Sequence, residues 1–180
     1  VIRKYIEFMR ESKGKSGSLY KHGCVMLELN IGNWDELTDS IDPKDVYLPD
    51  DPSHGVETNP HVTIMYPVDP DRTFTNVTDI LDKIKVKKPK IEIDGIGIFE
   101  NSEFDVLKFT IINNSILQNL HDRLSILGQD KFDKFKPHIT IAYLKSGSGK
   151  KYINQNYHYT IDVDRIKYTT PSGEKFYYSI

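Results

Sequence analysis

Apolar and polar positions divide the chain into short periodic runs. Within Val1–Ser12, Ile2, Tyr5, Ile6 and Met9 recur at helical spacing, which predicts a short amphipathic N-terminal helix over about 1–12. Cys24–Leu29 reads as a strand, and Asn33 as the cap of a helix carrying Trp34, Leu37 and Ile41 on one face. Asp42–Pro60 holds four prolines and several acids without a period. A loop of that length is either a lid or binding loop or a disordered insertion. His61–Tyr66 alternates as a strand, and Val77, Ile80, Leu81 and Ile84 predict a helix capped by Thr75 or Asn76. Ile91 and Ile93 share a strand face, but Ile96 and Ile98 shift phase across Gly95, which predicts a bulge. Leu107, Phe109 and Ile111 mark the returning strand.

The clearest helix spans Ser115–Leu127, with Ile116, Leu117, Leu120, Leu124 and Leu127 inward and Gly128 ending it. Strands follow at His138–Leu144, Tyr157–Val163 and Ile166–Thr170, then at Phe176–Ser179 after a Pro171-Ser172-Gly173 turn. Strands and helices mix without regular βαβ alternation, so an α+β fold with mainly antiparallel sheet is expected.

Two heptads carry the chemistry: Pro60-His61-Val62-Thr63-Ile64-Met65-Tyr66 and Pro137-His138-Ile139-Thr140-Ile141-Ala142-Tyr143. Five of seven positions are identical and the other two are apolar in both. Such a repeat predicts two related lobes. In a strand His61 and Thr63 project to one side while Val62, Ile64 and Tyr66 project to the other; His138 and Thr140 oppose Ile139, Ile141 and Tyr143 in the same way. If the lobes meet about a pseudo-twofold axis, both polar pairs converge on one cleft. Two imidazoles and two hydroxyls suit phosphodiester chemistry without a metal. One neutral ring takes a proton from an attacking hydroxyl and one protonated ring gives a proton to the leaving oxygen. Threonine hydroxyls donate to the non-bridging oxygens. His158-Tyr159-Thr160 repeats the His-x-Thr spacing but lacks the preceding proline and the following Ile-x-Tyr, so it reads as an ordinary strand.

Length and charge narrow the partners. The chain has 180 residues, a formal net charge of −2 and one cysteine, Cys24. That length suits one domain made of two lobes, and no apolar run reaches the roughly 18 residues of a membrane span. Near-neutral charge argues against a binder of long nucleic acid. One cysteine excludes a disulfide framework and a multi-cysteine metal cluster, and the remaining histidines form no metal-binding spacing. No cofactor is called for.

The paired motifs resemble the 2H phosphoesterase superfamily, named for two His-x-Thr/Ser motifs on paired lobes. The resemblance implies a LigT-like fold, antiparallel sheets with pseudo-twofold symmetry around a central cleft. Gly23-Cys24-Val25-Met26-Leu27, Gly55–His61 and Phe99-Glu100-Asn101 through Asp105–Phe109 look like the phage anti-CBASS phosphodiesterases. Those enzymes degrade the cyclic di- and trinucleotide signals of bacterial immunity. What this implies is metal-independent cleavage of 3′–5′ linkages in such a cyclic oligonucleotide, in the cytoplasm of an infected bacterial host cell. His61, Thr63, His138 and Thr140 would be the catalytic residues. Tyr20, Phe99 and Glu174 would bind substrate, the aromatics by stacking on bases; the alternatives are core packing for Tyr20 and Phe99 and a turn for Glu174. Competing functions are an RNA phosphodiesterase acting on 2′,3′-cyclic or 2′–5′ phosphates, and a sponge that binds cyclic nucleotides without turnover. The number of chains that assemble is left open.

Two minor motifs complete the reading. Lys145-Ser-Gly-Ser-Gly-Lys-Lys151 lacks the order of a phosphate loop, so it is expected to be a mobile basic hairpin loop whose lysines attract an anionic ligand. His121 is expected on the solvent side of its helix.

Overall fold

The chain forms eight strands: β1 (Gly23–Glu28), β2 (His61–Val68), β3 (Lys90–Phe99), β4 (Phe104–Ile111), β5 (His138–Lys145), β6 (Asn154–Asp162), β7 (Arg165–Thr169) and β8 (Lys175–Ser179). The structure, a computed structural model, describes residues 20–49, 54–129 and 134–180; the helix expected over 1–12 lies outside them. The strands form one antiparallel sheet in the order β6-β3-β4-β5-β2-β1-β7-β8. Helices α1 (Trp34–Asp39), α2 (Phe74–Ile84) and α3 (Ser115–Leu124) and the 3-10 turns Ser125–Leu127 and Gly149–Tyr152 complete the described elements.

The two halves of the sheet join at a narrow seam. β1 pairs with β2 and β4 with β5 over most of their lengths. β2 and β5 share one register pair, Val62 opposite Ile139. Leu27 lies opposite Val62 in one half as Phe109 lies opposite Ile139 in the other. Val62, Ile64, Ile139 and Ile141 bury their side chains on the back face with Val77 and Leu81 of α2 and Leu117, Leu120 and Leu124 of α3. Removing these branched side chains from water drives the two halves onto a common core. The front face is left for chemistry.

Beyond the seam β5 parts from β2, and the proline-rich segment takes the vacated edge. Glu57 N–H donates to the Ile141 carbonyl (2.9 Å), Tyr143 N–H to Gly55 (2.7 Å), Tyr47 N–H to Tyr143 (2.9 Å) and Lys145 N–H to Asp45 (2.6 Å). Val46 and Val56 thereby form bridges to Leu144 and Ala142. The described parts of 42–60 are therefore neither an unstructured insertion nor a detached lid. They are a strap that satisfies backbone groups β5 would otherwise expose.

Three other expectations change. The cap of α2 is Thr73: its hydroxyl accepts from Asn76 N–H (3.4 Å) while Asn76 Oδ1 accepts from Thr73 N–H (2.8 Å), a reciprocal capping box. Gly128 follows the last turn in extended backbone, φ −174°, not as a left-handed cap. Its role is close approach, since a Cβ there would lie 2.0 Å from the Pro67 carbonyl oxygen. His121 is half-buried: its Nδ1–H donates to the Ile64 carbonyl at 2.8 Å, and its ring stacks on Phe135 at 4.2 Å. The bulge that the phase shift predicts at Gly95 is present, with φ +86° at the glycine and a register shift between Ile93 and Ile96.

Candidate active site

The seam places the motif histidines. With Val62 opposite Ile139, the antiparallel register sets His61 across from Thr140 and Thr63 across from His138. All four are half-buried on the front face, where alternation leaves them once Val62 and Ile139 turn inward. The two histidines thus stand on one diagonal of the seam, where backbones lie about 7–8 Å apart. His138 feels the charge of His61.

Both rings are oriented alike. His61 Nδ1 lies 2.8 Å from the Asn59 carbonyl and His138 Nδ1 lies 3.0 Å from the Lys136 carbonyl. A carbonyl oxygen only accepts, so Nδ1 carries the proton and Nε2 is left to exchange one at the front. The intervening Pro60 and Pro137 are buried and hold the preceding residue extended, which aims its carbonyl back at the ring.

The surroundings of the two rings differ. Phe99 meets His138 edge-on with centroids 5.1 Å apart. Lys108 lies on the same Phe99 ring, Nζ 4.5 Å from its centroid, and donates to Thr110 Oγ1 at 3.1 Å. Thr110 is the register partner of His138. Burial pushes the His138 pKa down to about 4; the Lys136 carbonyl opposes this, and Lys108 and His61 add to it. His138 is therefore neutral at pH 7.

On the other half, Glu28 is the register partner of His61. Lys167 Nζ donates to Glu28 Oε1 at 3.0 Å and Arg165 pairs with Oε2 at 2.6 Å. Burial works against the Glu28 carboxylate, but these two cations outweigh it and hold its pKa below the usual carboxylate value. Cys24, beside Thr63, has its thiol pushed up to about 12 by burial, so it is not a nucleophile at neutral pH.

The repeat hides a matched pair of bulges. The β1–β2 register shifts between Val25 and Met26, and the β4–β5 register shifts between Leu107 and Lys108. Ile64-Met65 and Ile141-Ala142 are consequently buried in succession, and the tyrosine after each pair changes side. Tyr66 and Tyr143 thus stand on the front face, not with Val62 and Ile139 as alternation predicts. Tyr66 meets the His22 ring at 6.4 Å. Tyr143 packs with Phe104 and with His54 and Tyr47 of the strap. Two adjacent apolar residues inside an alternating strand were the available signal.

The remaining expected site residues divide. Phe99 meets His138 directly. Tyr20 and Glu174 gather at the β7–β8 turn: Tyr20 N–H donates to the Pro171 carbonyl and Thr170 N–H to the Glu174 carbonyl, each at 2.9 Å. Thr169 pairs with Cys24 and Ile166 with Leu27, so this turn lies toward the end of β1 opposite Glu28 and His61. His158 is exposed on β6, 3.4 Å from Asp94, away from the seam. The basic loop is used internally: Lys145 donates to the Lys44 carbonyl, Lys150 pairs with Glu100 and Lys151 with Asp45. Gly149 N–H donates to buried Asp105, which ties the loop down. Its lysines are not a free anion trap. Among the described residues no trio of His, Cys, Asp or Glu gathers as a metal site, and no helix is long and apolar enough to cross a membrane.

A two-lobed antiparallel sheet carrying a His-x-Thr pair from each half defines the LigT-like class of fold. The chain matches the 2′-5′ RNA ligase superfamily, the 2H phosphoesterases, over residues 34–167, and it belongs to that superfamily. Solved structures agree on the fold. Kluyveromyces marxianus Usb1 with uridine monophosphate aligns over 88% of this chain and 97% of its own, at 8% identity and a TM-score of 0.61. E. coli LigT complexed with 3′-AMP aligns over 88% and 94%, at 12% identity and a TM-score of 0.59. TT0787 of Thermus thermophilus aligns over 88% and 94%, at 15% identity and a TM-score of 0.55. No curated protein matches in sequence.

Proposed function

We propose that the chain is a metal-independent phosphodiesterase that cleaves 3′–5′ linkages in cyclic di- and trinucleotide signals of the kind used by bacterial immunity. The observation that carries this reading is the diagonal pair His61 and His138, each with Nδ1 held by a backbone carbonyl and each flanked across the seam by a threonine. His138, neutral at pH 7, takes the proton of a ribose 2′-hydroxyl through Nε2. The hydroxyl oxygen bonds to the adjacent phosphorus, the bond from phosphorus to the 5′-oxygen breaks, and protonated His61 gives that oxygen its proton. The product is linear with a 2′,3′-cyclic phosphate, which water opens with the two roles exchanged. Thr63 and Thr140 donate to the non-bridging oxygens. Phe99 offers a face to one base; Tyr20 and Glu174, at the far end of the other half, hold the other side of the ring. The cytoplasm of an infected cell is where such a substrate would be met.

The test is incubation with 3′,3′-cyclic GMP–AMP in excess chelator, with products separated by chromatography. Linear product that disappears in both His61→Ala and His138→Ala supports the reading; ligand bound and recovered intact makes the protein a sponge. The superfamily match and the nucleotides bound by Usb1 and LigT favour a second reading, a phosphodiesterase of RNA ends. It wins if only oligonucleotides with 2′,3′-cyclic ends or 2′–5′ linkages react.

A further inference from the structure

Each half of the front face buries a lysine, and the two are treated differently. Lys167 is 5% exposed and Lys108 is 8% exposed. Lys167, register partner of Met26, is ion-paired with Glu28, which Arg165 shares. Lys108 has no carboxylate within ion-pair distance among the described residues. Its ammonium has one hydroxyl acceptor, Thr110 Oγ1, and the face of Phe99. The position of Glu28 against His61 is taken on this half by neutral Thr110 against His138. Lys136 adds a second positive charge nearby. Taking an ammonium out of water costs several kcal/mol unless an anion accompanies it. One hydroxyl and a ring face recover only part of that.

We propose that Lys108 is the anion contact of the reaction centre, its ammonium binding a non-bridging oxygen of the phosphate on which His61 and His138 act. Lys108 sits across β4–β5 from Thr140 and leans toward Thr110 beside His138, so the threonine hydroxyl, the ammonium and the imidazole border one volume. An anion entering it completes the donor set of Lys108 and neutralises a charge that the fold leaves bare. The ligand class is a phosphodiester or phosphomonoester oxygen, and the inference rests on the phosphodiesterase reading for its role in turnover. The contrast with Lys167 makes the site lopsided: the Lys167 ammonium is already taken up by Glu28, whereas the Lys108 ammonium on the His138 side is left for the phosphate.

The test pairs Lys108→Met and Lys108→Arg with Lys150→Met, which removes a surface lysine of the 145–151 loop. Lys108→Met is expected to lower kcat/KM on cyclic GMP–AMP about 10²–10³-fold, as for loss of one donor to a developing oxyanion. Calorimetric affinity for inorganic phosphate should fall at least about tenfold. The same variant should melt no lower than wild type, because an apolar chain of similar length relieves a buried charge. Lys108→Arg should recover part of both losses and Lys150→Met should show neither. Sulfur in place of a non-bridging oxygen should slow the wild type more than Lys108→Met. Phosphate affinity within about threefold of wild type, or a lowered melting temperature with unchanged phosphate affinity, overturns the inference. If the wild type cleaves no cyclic dinucleotide, the substrate reading fails alone, and the phosphate titration still decides Lys108.

Discussion

Trp34 Nε1 donates to the Glu57 carbonyl at 2.8 Å, fastening the first described helix to the strap that pairs with β5. Trp34 is itself buried and packs against Phe109, whose backbone lies opposite Ile139. One side chain thus links the core beneath the seam to the segment along its edge. Trp34→Phe keeps most of the apolar contact but orphans the Glu57 carbonyl, which costs about 1–3 kcal/mol. Urea denaturation should show that loss. Amide exchange should be fastest to rise at Glu57 and Tyr143, the donors nearest the freed end; uniform protection across the strap would refute this role for Trp34.

The downward shift of His138 gives stability a direction with pH. The groups facing it are Lys108, Lys136 through its carbonyl, and His61. An imidazole whose folded value lies near 4 and whose unfolded value lies near 6.5 binds fewer protons in the native state between those limits. Its contribution is complete above about pH 6.5 and is lost as pH falls toward 4. Melting temperature should therefore drop over that window more steeply for wild type than for His138→Gln. Millimolar phosphate should flatten the wild-type curve, because a bound anion favours the imidazolium. Parallel curves for the two proteins would show that His138 is not the group being protonated.

Gly128 makes a steric prediction that the sequence alone does not. A Cβ at this position would stand 2.0 Å from Pro67 oxygen and 3.1 Å from its carbonyl carbon, backbone atoms that cannot rotate aside. Gly128→Ala should destabilise the protein by more than about 2 kcal/mol, at the upper end of overpacking costs. Gly32 is the control, with nothing within 4 Å of its Cβ. Gly32→Ala should leave the denaturation midpoint nearly unchanged. Equal effects of the two changes would mean that the β2–α3 contact yields.

The sequence carries some of this structure openly and hides the rest. The strands and the His-x-Thr pairs declare themselves because burial of one face writes a period into the sequence. The strap is silent because its pairing with β5 is made by backbone groups at Asp45, Tyr47, Gly55 and Glu57, whose side chains follow no rule. Tyr66 and Tyr143 stand opposite to the side that strict alternation predicts, because a bulge changes phase at a single residue. Lys108 was invisible for another reason: a lysine in a strand reads as surface, and only its neighbours Phe99 and Thr110 reveal that it is buried.

His61, His138 and His158 separate chemistry from spacing. All three begin a His-x-Thr tripeptide, but His158 is exposed on a strand at the sheet edge beside Asp94. If proton transfer at the seam is the source of catalysis, His61→Ala and His138→Ala should each lower kcat about 10²–10⁴-fold. His158→Ala should stay within about twofold, an exposed substitution touching no reacting group. Thr63→Val and Thr140→Val should each lose about 10²–10³-fold if each hydroxyl donates to the transition-state oxyanion. Because the two imidazoles act in one event, the double histidine variant should be little worse than either single one. Full additivity of the two losses would place the rings in separate events and break the link between the seam geometry and the reaction.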